Sequence, residues 1–315
     1  MIKQGFDNEK IMITAYEHPD LDGVACAYAY SEFLNKNNKK SITVLFGVPD
    51  KEAEYVLEKY NISPYEDGDK LISEAEKIII VDASDLRGIS KKINPLKVIE
   101  VIDHRKIHEA DKFENAKKQI ELVGSAATLI AEKFYETNTP ISKESAILLH
   151  LAIISNTINL KANVTTKRDI KIIEWIKNIS KINSDDIKNM FKFKSNIDEP
   201  IKIVFEKDFS TFEFNDKKVG IAQLEIIDTE KFVSNNLSEI LISLETIKKE
   251  KNLDYIFLSC VDLIECFNLF VTPDNNTQRL LRSIFDINFE NNISKKDNIL
   301  MRKEISPLIR DYLES

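Results

Sequence analysis

The sequence predicts an α/β fold, with a mostly parallel sheet flanked by helices in the first part and a smaller α+β domain after it. Two observations predict this. Short apolar or β-branched runs alternate with runs of helical spacing, the pattern of a parallel sheet covered on both faces. The alternation then breaks at Lys194–Pro200 (KSNIDEP), a polar stretch ending in proline, and closely spaced strand-like runs follow. The chain has 315 residues, enough for two domains at roughly 100–200 residues each. The boundaries are placed at 1–193 and 194–315.

The elements follow in order. Ile11–Ala15 (IMITA) is a short apolar strand, and Val24–Leu34 has helical spacing with small residues suited to close packing on a sheet. Ile42–Phe46 reads as a strand and Glu52–Tyr60 as a helix. Lys77–Val81 (KIIIV) and Val98–Ile102 (VIEVI) are β-branched runs of strand length. Ala126–Tyr135, Lys143–Ser155, Lys167–Lys177 and Asp185–Lys192 read as helices. Beyond the linker, Ile201–Phe205, Thr211–Phe214 and Val219–Ile226 are read as strands and Val233–Lys249 as a helix. Strands at Tyr255–Cys260 and Cys266–Val271, a helix at Asn275–Phe285 and a last strand at Ile299–Met301 complete the second domain.

Composition narrows the function. There are 44 Lys+Arg against 52 Asp+Glu, a formal charge of −8, which disfavours nucleic-acid or membrane-surface partners. With only 7 Gly and 8 Pro there is no glycine-rich phosphate loop. The three cysteines, Cys26, Cys260 and Cys266, form no CxxC pair, as expected in a reducing compartment. The first residues lack an apolar core of signal-peptide length and no stretch has the length of a membrane span, so a cytoplasmic protein is expected.

In an open parallel sheet, ligands bind beyond the carboxyl ends of the strands. IMITA is followed by Tyr16, His18, Pro19, Asp20 and Asp22, KIIIV by Asp82, and VIEVI by Asp103, His104 and Arg105. Three strands thus bring carboxylates and an imidazole to one edge. A single aspartate there is usually a helix cap or turn former; the convergence of three strand ends favours a metal centre. Carboxylates with imidazole and no cysteine cluster suit Mn²⁺ or Mg²⁺. Two such ions about 3.5–4 Å apart would clamp a phosphoryl displacement, with Asp82 placed to bridge them. His108 and His150 are read as structural, and Tyr28, Tyr30 and Phe33 as packing.

Five strings occur in the order PDLDG (Pro19–Gly23), VDASD (Val81–Asp85), VIDHR (Val101–Arg105), GSAAT (Gly124–Thr128) and AIISNT (Ala152–Thr157), followed by TTKRD (Thr165–Asp169). This order resembles the DHH phosphoesterase superfamily, in its manganese-dependent family II inorganic pyrophosphatase branch. EKDF (Glu206–Phe209), VGIAQLEIID (Val219–Asp228) and LMRKEISPLI (Leu300–Ile309) extend the resemblance over almost the whole chain. The Arg–Lys ending also separates it from the exopolyphosphatase-like branch, which ends in a glycine-rich motif.

The resemblance implies a two-metal site in an interdomain cleft, hydrolysis of pyrophosphate, and a homodimer formed through the first domain. It implies that Asp20 and Asp82 bind one metal and that Asp22, Asp82 and His104 bind the other. Asp103 would orient His104, and Lys207, Arg302 and Lys303 would hold phosphate. Three positions depart from the pattern. Tyr16 and Asn156 stand at ligand positions where the family has histidine and aspartate, and Arg105 replaces the second histidine of DHH. A phenol and an amide are weaker donors, shifting preference toward Mg²⁺ and weakening one metal; His18 is a candidate replacement donor. Arg105 can contact phosphate but cannot act as a general acid at neutral pH. Two function classes follow. One is a metal-dependent phosphohydrolase acting on pyrophosphate. The other is a phosphate-binding pseudoenzyme, with a phosphodiesterase acting on a small nucleotide as a further alternative.

Overall fold

The computed structural model describes residues 10–315 except 64 and 107. The chain divides into two compact units, Met1–Met190 and Phe191–Ser315. The change of pattern read at Lys194–Pro200 lies just beyond that division.

The first unit opens with β1 (Ile11–Thr14), α1 (Leu21–Lys36), β2 (Ser41–Leu45), α2 (Lys51–Lys59), β3 (Glu66–Asp67) and α3 (Gly68–Leu71). It continues with β4 (Lys77–Val81), β5 (Val98–Asp103), β6 (Lys117–Ile120), α4 (Ala126–Thr137), α5 (Lys143–Asn156) and α6 (Lys167–Ser180). The helix α7 (Ser184–Lys194) crosses the division. All six strands pair in parallel, in the order β3-β2-β1-β4-β5-β6. The order reverses between β1 and β4, and in such a sheet that switch point opens a crevice at the strand ends.

Sequence explains the layering. The β-branched centre of β4 (Ile78, Ile79, Ile80, Val81) is buried on both faces. One face joins Met12, Val44, Val101 and Phe113 in a core. On α1, Gly23, Ala25, Ala27 and Ala29 let the helix lie close to the sheet. A Cβ at Gly23 would come 2.8 Å from Ala15 Cβ, so only glycine permits that approach. The strands β3 and β6 carry the sequences ED and KKQI and lie at the two edges of the sheet; neither has the apolar signature of a strand.

The second unit contains α8 (Ile201–Lys207), β7 (Phe209–Phe214), β8 (Lys217–Ile226), α9 (Thr229–Glu250) and β9 (Tyr255–Asp262). After these come β10 (Phe267–Val271), α10 (Asn275–Phe285), β11 (Ile293–Asp297) and α11 (Arg302–Leu313). Its strands run β11-β10-β9-β8-β7, with β8 and β9 parallel and the other pairs antiparallel. Alternation along β9 sends Ile256, Leu258 and Cys260 to the α9 side and Phe257 to the side of α10 and α11.

Two sequence expectations fail here. Ile201–Phe205 is not a strand but the body of α8. Its β-branched letters suggest β structure, yet Ile201 and Phe205 are both buried, and that spacing of four is helical. Ile299–Met301 is not a strand either. Leu300 is held on both sides by the Asn268 amide, which donates to Leu300 O at 2.8 Å and accepts from its N–H at 2.9 Å. The last strand is the polar ISKKD of β11.

Candidate metal centre

The site is assembled at the switch point. After β1 the chain turns through Pro19 into α1, where Asp20 caps the helix and accepts the Gly23 N–H at 3.0 Å. The ordinary capping role of a strand-end aspartate is therefore real for Asp20. Asp22 lies one turn position further in and is fully buried. Its two oxygens accept the backbone N–H groups of Ala126 and Ala127 at 2.9 and 2.8 Å, the first turn of α4. Those donors and the helix dipole orient the carboxylate.

Asp82 follows β4 with φ at +52°, a left-handed conformation uncommon for a residue other than glycine and concentrated at functional sites. Its N–H remains bonded to Ile102 O at 2.8 Å, so the strained turn is fastened to β5. After β5, the His104 N–H donates to the Asp103 carboxylate at 2.7 Å, and Ser84 Oγ also bonds to that carboxylate.

Asp103 thus fixes the backbone of His104 rather than its ring, which differs from the expectation. The ring is aimed by a backbone carbonyl: His104 Nδ1 lies 3.0 Å from Val123 O. That contact uses the proton on Nδ1, so in the neutral ring Nε2 carries the lone pair, the usual arrangement of a metal-binding imidazole. Nε2 lies 3.5 Å from Asp82 Oδ1 and 3.9 Å from Asp22 Oδ2.

Asp22, Asp82 and His104 each offer a ligand atom, all within 4.8 Å of one another. Burial, above all, pushes both carboxyl groups upward in pKa. Asp22 is relieved in part only by the protonated form of the His104 ring, whereas Asp82 is pushed further by the charges of Asp22 and Asp20. A divalent cation would remove this conflict by balancing the like charges, and oxygens with an imidazole suit Mn²⁺ or Mg²⁺. The donor set fits one such ion.

The neighbouring positions are occupied differently. Tyr16 is largely buried, and its oxygen accepts the Asp20 N–H at 3.1 Å. Burial first, then the charges of Asp20 and Asp82, push its phenol far above the ordinary range, so it stays protonated. Asn156 donates its amide to Asp22 Oδ2 at 2.5 Å. Arg105 sends Nη2 to Asp82 O at 3.2 Å and Nε to within 3.7 Å of Asp103 Oδ1, and its guanidinium stands 5.5 Å from the Tyr16 ring centre. Burial opposes its charge, and the carboxylates of Asp82 and Asp103 more than offset that. His18 is exposed and takes the Val48 N–H at 3.2 Å; it does not join the cluster.

Sequence reading missed two supports. Asp169, the last residue of TTKRD, is fully buried and gathers Gly124 N, Thr128 Oγ1 and both the N and Oγ1 of Thr166 at 2.6–3.1 Å. This joins α6 to the turn that starts α4, and so to the N–H groups that hold Asp22. Its signal is the aspartate three residues after Thr166, a capping box. Val123 O has no sequence signal, because a carbonyl is common to every residue.

In the second unit, Arg302 bonds to Asp208 through both the backbone carbonyl (2.8 Å) and the carboxylate (2.6 Å). Its own N–H donates to Gln223 Oε1 at 2.7 Å. Lys207 is paired with Glu199. Lys303 is exposed in the first turn of α11. The same first turn carries Glu304, whose carboxylate accepts the Met301 N–H at 3.0 Å.

A doubly wound parallel sheet with buried carboxylates and an imidazole at its switch point, followed by a second smaller sheet domain, defines the class. Residues 10–153 match the model of the DHH family N-terminal domain and residues 188–312 match the DHHA2 domain. The chain belongs to the DHH family, as the ordered motifs suggested, and its likeness lies with the family II inorganic pyrophosphatases. The manganese-dependent inorganic pyrophosphatase of Bacillus subtilis (strain 168) is 28% identical over 308 residues, 97% of this chain and 99% of that protein. That of Methanothrix thermoacetophila is 29% identical over 311 residues, 95% and 97% of the two chains. A Methanococcus jannaschii crystal structure, provisionally described as a family II inorganic pyrophosphatase, matches with a TM-score of 0.73 at 26% identity, covering 97% of this chain and all of that one. An exopolyphosphatase-related protein from Bacteroides fragilis, at 18% identity and a TM-score of 0.51, shares the fold.

Proposed function

We propose that this protein hydrolyses inorganic pyrophosphate to two phosphates with a divalent cation, Mn²⁺ or Mg²⁺, as cofactor. The observation that carries the reading is the meeting of Asp22, Asp82 and His104 within 4.8 Å, with the imidazole lone pair freed by Val123 O. A divalent ion held there would polarise a phosphoryl oxygen and acidify a water molecule. The chain's own residues do the rest. Asp22 and Asp82 supply charge, and His104 supplies a neutral nitrogen whose direction is fixed before any ligand arrives.

Arg105, Lys207, Arg302 and Lys303 are assigned to the phosphate groups of the substrate, with 1–193 as the metal-binding domain and 194–315 as the substrate-gripping one. Guanidinium groups suit the paired oxygens of phosphate. Asp20 is assigned to support the metal centre from its cap position, with Tyr16 and Asn156 as neutral neighbours. The buried thiols of Cys26 and Cys260 agree with a reducing, cytoplasmic setting. Among the described residues, no helix is long and apolar enough to cross a membrane. A homodimer is carried by family likeness alone.

The test is phosphate release from the purified, metal-loaded protein with pyrophosphate, short polyphosphate, nucleotides and dinucleotides as substrates. Pyrophosphate should be preferred, and Asp82→Ala should abolish release. Release no greater than in the Asp82→Ala control would overturn the reading. Pyrophosphate binding without turnover would instead support a binding protein, the reading favoured by the engagement of the Asn156 amide with Asp22.

A further inference from the structure

We propose that the centre is built for a single divalent ion, and that the Arg105 guanidinium supplies the positive charge a second ion would bring. The inference rests on the metal-dependent reading above and goes beyond it.

Among the described residues, the acids and imidazole that converge to metal-binding distance are Asp22, Asp82 and His104. A second ion sharing Asp82 would need donors from the neighbouring side chains, and these offer one further carboxylate, a phenol and a neutral amide. Asp20 spends one carboxylate oxygen on the Gly23 N–H. Tyr16 offers a phenol, which is protonated at neutral pH, and its oxygen already takes the Asp20 N–H at 3.1 Å. Asn156 turns its amide nitrogen to Asp22 Oδ2 at 2.5 Å, and as a neutral amide it brings no charge to a second cation.

Arg105 is the cation already there. It reaches Asp82 O at 3.2 Å, approaches Asp103 Oδ1 at 3.7 Å and stands over the Tyr16 ring at 5.5 Å. Set against the carboxylates of Asp20, Asp22, Asp82 and Asp103, this guanidinium removes one of the negative charges that a second divalent ion would otherwise balance. A second would be repelled by this fixed positive charge, the more so in a pocket of low dielectric. The three departures at Tyr16, Arg105 and Asn156 thus form one coherent change, in which two neutral donors and a permanent cation replace a metal position.

The experiment measures metal content rather than turnover. Protein loaded with Mn²⁺ and desalted is assayed by mass spectrometry for manganese per chain and by electron paramagnetic resonance. The wild type should retain one ion with the hyperfine-resolved spectrum of isolated Mn²⁺. The variant Tyr16→His/Arg105→His/Asn156→Asp should retain two, with an exchange-coupled spectrum. Two retained ions in the wild type, or none, would overturn the proposal. Arg105→Gln guards against misfolding of the triple variant: its second-ion affinity should rise at least ~10-fold, and no rise counts against the proposal. Failure here is distinct from failure of the functional reading. A wild type that holds two ions and releases phosphate sinks only the single-ion proposal, and one that holds a single ion without turnover sinks only the pyrophosphatase reading.

Discussion

His150 shows what a buried titratable group costs when no charge partner meets it. It lies in α5 with Nδ1 2.7 Å from Ser180 Oγ, and burial pulls its pKa from 6.5 down to about 4. Its stabilising contribution is therefore complete above pH 6.5, where both folded and unfolded forms are neutral, and is lost as pH falls toward 4 while the unfolded chain takes up a proton. Over that window the wild type should lose about 3 kcal/mol more stability than His150→Asn, which keeps a polar partner for Ser180. Urea titrations at a series of pH values check this, and parallel losses in the two proteins would contradict it. The structural reading of this histidine was available in the sequence, since it sits in the apolar run LLHLAII. The same holds for Asp22, Asp82 and His104, which sit just past apolar runs of strand length or one turn into the helix that follows. The left-handed backbone of Asp82 and the aim of the His104 ring were not available, because they depend on backbone atoms that no residue type announces.

At the scale of elements, the centre depends on how α1, α4 and α6 are tied together. Asp169 is the tie, and it touches none of Asp22, Asp82 or His104. Replacing it with alanine leaves Gly124 N and the Thr128 hydroxyl buried without their acceptor and frees the partly exposed Thr166 hydroxyl, at a cost of about 3 kcal/mol. It also loosens the Ala126 and Ala127 N–H groups that hold Asp22, so Mn²⁺ affinity should fall roughly 10–100-fold. Denaturation curves and Mn²⁺ titration of Asp169→Ala test both, and unchanged affinity would show that Asp22 is held without this chain of contacts. Gly124→Ala should act in the same direction, because its Cβ would lie 2.5 Å from Thr157 Cγ2 and overpacking costs about 1–3 kcal/mol. GSAAT and TTKRD were legible as family motifs, but the residues alone did not reveal that their joint role is to position a carboxylate. Elsewhere sequence failed for a plainer reason. In α8, composition and periodicity disagree, and the burial of Ile201 and Phe205 on one helix face prevails over the strand preference of IKIVF.

At the scale of the molecule, the acidic centre belongs wholly to the first unit and the basic residues Lys207, Arg302 and Lys303 to the second. On the roles proposed above, with Arg105 the one phosphate-directed cation of the first unit, metal binding and the grip of the second unit are separable by mutation. Arg302→Gln should lower kcat/KM for pyrophosphate about 100-fold, a loss of roughly 2.7 kcal/mol. Mn²⁺ affinity should not change. A parallel fall in metal affinity would contradict the division of labour. The two-domain plan was legible because the hydrophobic pattern changes around Pro200. The pairing of Arg302 with Asp208 was not, since the two are far apart in the chain and joined only by the fold.

The most direct measurement is anomalous diffraction at the manganese edge from crystals grown with Mn²⁺. A peak bonded to Asp22, Asp82 and His104 together is expected, with Nε2 as the imidazole ligand. Manganese found only elsewhere, with those three side chains left uncoordinated, would contradict it.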